Sequence, residues 1–112
     1  MSLSLDLGFE FYRSEPDAIR AWNRLAFTSP DKDLAAALDL IAFPLKGGVH
    51  WLHDEEGSTL DAEDGYGNPI TFVLAGHLAP KLEACAADPW DKAVVAFVSA
   101  LPVETRVVLR WH

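Results

Sequence analysis

One cysteine, few basic residues and no apolar run long enough to cross a bilayer set the first limits on this 112-residue chain. The lone Cys85 excludes an intramolecular disulfide and fits a reducing compartment, so a core must hold the fold together. No stretch reaches the roughly 18 apolar residues of a membrane helix, and no basic segment followed by an apolar one opens the chain. Neither a span nor a secretory signal is expected, and the default location is cytoplasmic. Nine Lys and Arg face 17 Asp and Glu, for a net charge of -8. That field disfavours nucleic-acid phosphates and anionic membranes and favours a basic protein partner or simple solubility.

Motifs of chemistry are equally scarce. No serine sits in a GxSxG elbow and there is no phosphate loop, while Gly65 and Gly67 lack the third glycine and preceding strand of a dinucleotide site. Asp61, Glu63, Asp64 and Gly65 superficially match the start of a calcium loop, but the alternate ligand spacing and the glutamate at the twelfth position are missing. Neither a cofactor nor a metal is expected, and enzymatic activity is not the favoured reading.

What is present is core-forming material: half of the residues are hydrophobic and 11% aromatic, including four Trp. A single domain over residues 1–112 with one core is the expectation. The clearest unit is its last quarter. Asp88 as N-cap, Pro89 at the first helical position and Asp91 at the capping-box position start a helix, and Trp90, Val94, Phe97, Val98 and Leu101 fall on one stripe. Phe97, central in that stripe, is expected to be fully buried. Pro102 ends the helix, and residues 105–111 alternate as a strand with Val107, Leu109 and Trp111 on one face.

Residues 3–11 alternate strictly, with Leu3, Leu5, Leu7 and Phe9 on one side, and predict a strand with one wet face. Ser14 and Asp17 mark a helix carrying Ala18, Ile19, Trp22, Leu25 and Ala26 inward. Ser29 and Pro30 open a second helix that ends near Phe43, before Pro44. Residues 49–53 and 70–75 read as strands, with a buried helix over 70–79 as the alternative to the latter. A short helix follows from Pro80. The resulting order is β-α-α-β-β-α-α-β: an α+β two-layer domain with a mixed or mostly antiparallel sheet of about four strands and helices on one face.

Residues 54–69 form a connection longer than two strands need, and such loops are commonly functional or mobile. They carry Asp54, Glu55, Glu56, Asp61, Glu63 and Asp64, and no Lys or Arg occurs from Gly47 to Pro80. With Trp51 and Tyr66 as aromatic anchors, this segment reads as an acidic surface for a basic protein, the electrostatic profile of an immunity-type inhibitor. A plain solvated loop is the competing explanation. The alternative function is a small enzyme or ligand-binding domain in which His50, His53 or His77 works with the loop carboxylates. Oligomeric state is left open.

Overall fold

The computed structural model describes residues 3–10, 15–28, 30–53 and 57–112. Seven strands and three helices follow in chain order: β1 Leu5–Glu10, β2 Ile19–Phe27, α1 Lys32–Ile41, β3 Phe43–Pro44, β4 Val49–His53, β5 Gly57–Asp61, β6 Thr71–Leu74, α2 Ala75–Cys85, α3 Pro89–Ala100 and β7 Arg106–Trp111. The strands make one mixed, strongly curled half-barrel sheet in the order β3-β6-β7-β1-β2-β4-β5. Among the described residues only β2 and β4 pair in parallel; the other neighbours are antiparallel. The four-stranded two-layer domain expected from the sequence is therefore overturned.

Three misread segments account for the difference, the shortest being Phe43–Pro44, where a helix was expected to end and which instead pairs with β6 as β3. The helix expected from Ser14 is strand β2, and residues 54–69 contain strand β5 rather than one long loop. In β2 the cause is a bulge: the step from Gly8 to Glu10 on β1 meets the longer step from Arg24 back to Ala21 on β2. An extra residue shifts the alternation by one, so Ile19 and Ala21 face one side of the sheet while Phe27 faces the other. Apolar positions spaced that way imitate a helical stripe. The inward Trp22 of that reading has its side chain outside the described residues. Ser29, expected to cap α1, also lies outside them; Asp31 caps that helix, its Oδ1 accepting from Leu34 N at 2.7 Å.

Each face of the sheet has its own core. Leu34 and Leu38 of α1, Leu78 and Leu82 of α2, and Val94 and Val98 of α3 pack on Leu5, Leu7, Phe27, Val107 and Leu109. On the opposite face, Ile19, Ala21, Leu45, Val49, Trp51, Ile70 and Val108 form a cluster with no helical member. The curl of the sheet wraps strands around that cluster, which the two-layer expectation did not contain. Trp51 lies directly over Gly8, so closely that a Cβ at position 8 would overlap the indole Cη2 and Cζ3 atoms. Among the described residues no helix is long and apolar enough to cross a membrane.

Helix α3 starts at its expected N-cap, with Asp88 Oδ1 accepting from Asp91 N at 2.8 Å. Asp91 itself is fully buried and does not close a capping box. Its Oδ1 instead accepts from Thr28 N at 2.7 Å and Thr28 Oγ1 at 2.9 Å, tying the helix to the end of β2. The α3 stripe is rotated from the expected one. Phe97 is 45% exposed and meets Phe9 edge-on at 4.8 Å, while Val94, Val95 and Val98 face the core. Phe97→Ala is consequently expected to cost only about 0.5–1.5 kcal/mol, the range of an aromatic pair. Leu78→Ala, at a fully buried position, is expected to cost about 2–5 kcal/mol. Urea denaturation of both variants checks the rotation, and a larger loss for Phe97→Ala would reverse it.

Candidate functional site

The acidic segment is folded more tightly than its composition suggests. Asp61, at the end of β5, turns inward: its Oδ2 accepts from Trp51 Nε1 at 2.7 Å and lies 3.6 Å from Arg24 Nη2 and 3.4 Å from Arg110 Nε. The last contact is ion pairing without hydrogen-bond alignment, since Arg110 Nε has no hydrogen-bond partner among the described residues. Arg24 also stacks over the Trp51 ring at 4.1 Å from its centroid. Trp51 is 3% exposed, so the expected aromatic anchor acts inside the molecule, bracing the second core. Two cations brought from β2 and β7 thus offset this carboxylate.

Asp64 builds the turn that follows. Its Oδ1 accepts from Tyr66 N at 2.9 Å and Asn68 N at 3.1 Å, and Gly67 takes the left-handed φ of 81° that the turn requires. Gly65 N donates to Trp111 O at 2.7 Å and the Tyr66 hydroxyl donates to His112 O at 3.2 Å, which staples the turn to the end of β7. His112 is held by this contact and by paired backbone bonds with Ser4. Glu63 is exposed and bridges across the turn to Pro69. Asp54, Glu55 and Glu56 lie outside the described residues.

Between this turn and α1 opens a cleft of about 360 Å³. Asp39 of α1 and Asp64 supply carboxylates, Tyr66 and Trp111 supply rings, and Ala35, Ala42 and Leu109 line the floor. Among the described residues no Lys, Arg or His lines it. A cation entering such a cleft would meet two carboxylates and two π faces, the pairing that favours lysine, arginine or quaternary ammonium groups. Of these four, Asp64 and Tyr66 were singled out from the sequence and Asp39 and Trp111 were not. Asp39 carried no local signal, since only the tertiary fold brings α1 beside the turn. The Asp-Gly-Tyr-Gly-Asn run, by contrast, does announce a side-chain-capped turn.

Of the histidines of the alternative reading, His50 and His53 belong to β4 and His77 to α2. His50 is half-buried on β4, in register with Arg20 and Leu60, and His77 is exposed on α2, which packs against β6 and the other helices. The side chain of His53 lies outside the described residues. Among the described residues no group of three or more His, Cys, Asp or Glu could hold a metal ion. Cys85 sits beside Asp31, Sγ to Oδ2 at 3.6 Å; burial first, then the negative charge of Asp31, push its thiol above the ordinary range. A thiol held protonated there is a poor nucleophile. Comparison with family models, curated proteins and solved structures finds no match for this chain.

Proposed function

We propose that this chain is a small acidic protein-binding domain, of the immunity-inhibitor kind, that captures a basic partner protein in the cytoplasm without a cofactor. The observation that supports it is the cleft beside α1, lined by Asp39, Asp64, Tyr66 and Trp111 and, among the described residues, by no Lys, Arg or His. A lysine or arginine from the partner fits that lining. The net charge of -8 steers the approach, so association is fast at low salt and slows as salt rises.

Titration with a lysine-rich peptide at low and high salt tests this reading. Asp39→Asn with Asp64→Asn keeps the turn, because an asparagine Oδ1 still accepts the two N–H bonds. This pair of changes is expected to weaken binding about tenfold at low salt. Asp33→Asn with Glu83→Gln removes the same charge at exposed positions outside the cleft, and is expected to change it much less. Equal losses in the two variants would show that net charge alone attracts the peptide and that the cleft is not a site.

A further inference from the structure

We infer that the outer edge of β5 accepts an extended basic segment of a partner protein as an added antiparallel or parallel strand. The inference takes from the preceding reading only the basic character of the partner. The sheet has two edges, and they differ in how they are guarded. At one, β3 is two residues long and ends in Pro44, which has no N–H to offer. Short strands and proline are the usual means of blunting an edge. At the other edge, β5 runs for five residues, Gly-Ser-Thr-Leu-Asp, with neither proline nor lysine.

Backbone polarity shows which groups of β5 point outward. Ile19 N donates to Gly48 O at 3.2 Å, so Gly48, and with it His50, turns its backbone groups toward β2. Val49, Trp51 and His53 therefore turn theirs toward β5, where they oppose Asp61, Thr59 and Gly57. Ser58 and Leu60 are left with N–H and C=O directed away from the sheet. None of the backbone bonds outside the strand ladders that join described residues ends on either one. The Leu60 side chain is 55% exposed beside that edge, an apolar contact for one residue of an incoming strand.

Charge decides the occupant. Glu55 and Glu56 precede β5 in the sequence, Glu63 and Asp64 follow it, and no Lys or Arg occurs between Gly47 and Pro80. Among the described cations, Arg24 and Arg110 pair with Asp61, the last residue of β5, and Arg20 lies 3.9 Å from Glu15. A second copy pairing β5 against β5 would bring these carboxylates face to face, which is unfavourable. A strand alternating lysine or arginine with apolar residues meets both the charge and Leu60.

The test uses a ten-residue peptide of alternating lysine and valine, and a lysine–proline repeat of equal charge that cannot extend a β ladder. The lysine–valine peptide is expected to bind at least about tenfold more tightly at matched salt and to slow hydrogen exchange at the Leu60 amide by a similar factor. Leu60→Pro is expected to erase the difference, and Leu60→Ala, which keeps the amide, to retain it. Should Leu60→Pro fail to fold, exchange at the Leu60 amide of the unaltered protein decides alone. Equal binding of the two peptides without protection of Leu60 overturns strand addition and leaves the acidic-surface reading standing. Binding of neither peptide at low salt overturns both. Sedimentation showing a dimer that Leu60→Pro abolishes would make a second copy, not a basic segment, the occupant.

Discussion

Arg106→Ala is expected to lower stability by about 3–5 kcal/mol, the cost of breaking a buried ion pair from one side. The Arg106 side chain is 5% exposed and that of Glu10 6%. Nε donates to Glu10 Oε2 at 2.8 Å, and Nη2 pairs with the same oxygen. The remaining N–H groups donate to the carbonyls of Glu15, Pro16 and Ala18, at 2.8, 3.0 and 3.1 Å, so one guanidinium fastens the segment before β2 to β1 and β7. Truncation removes the cation beside a buried carboxylate and the donor from three carbonyls at once. The joint change Arg106→Met with Glu10→Leu is expected to cost less than Arg106→Ala, because the charge left behind, not the lost attraction, dominates the penalty. Urea denaturation measures both. A loss below about 1 kcal/mol for Arg106→Ala would show that water reaches the pair.

Trp51→Ala is the second large effect, expected at about 3–5 kcal/mol for removing a buried indole that fills the second core. Its coupling to Gly8 makes the expectation specific. Gly8→Ala alone is expected to cost about 1–3 kcal/mol, since the new methyl group overlaps the indole and the surrounding strands cannot move apart freely. The next atom it would meet, Val108 Cβ, is 3.4 Å away, an ordinary contact. Once Trp51 is alanine, the same Gly8→Ala change is expected to cost little or to recover some stability by refilling the cavity. A double-mutant cycle reads this directly as a coupling energy of about 1 kcal/mol or more. Additive losses would mean that the indole is not seated on Gly8.

The parts of the fold legible in the sequence were those whose alternation or capping is unbroken. Leu5, Leu7 and Phe9 on β1, and Val107, Leu109 and Trp111 on β7, fall on the expected face, and Asp88 caps α3 where expected. The rest was obscured by identifiable physics. The bulge in β2 breaks a period of two into something that resembles 3.6. Strand β5 contains Gly57 and Ser58, weak strand formers that read as loop until β4 supplies a partner. Helix α2 begins at Ala75 directly from β6 with no capping side chain and continues through Pro80, so neither end carried its usual mark. The face of α3 was misjudged because almost every position is apolar. In the candidate site, Asp64 and Tyr66 were legible as acid and aromatic, but Asp39 was not, and the inward turn of Asp61 depends on Arg24 and Arg110, which are distant in sequence.

The place of β7 in the sheet bears on how the chain is made. Residues 106–111 pair with β1 on one side and with β6 on the other, so the strand synthesised after the other six fills a gap in the middle of the sheet. Until it arrives, β1 has β2 as its only ladder partner, β6 has only the two residues of β3, and the apolar faces of Leu5, Leu7 and Val73 lack their neighbour. The sheet therefore closes only once β7 has emerged, through contacts about a hundred residues apart. Closure of that kind is slow for a small domain. During the interval the nascent chain exposes unpaired strand edges, the feature that holdase chaperones recognise and that drives aggregation when they are absent.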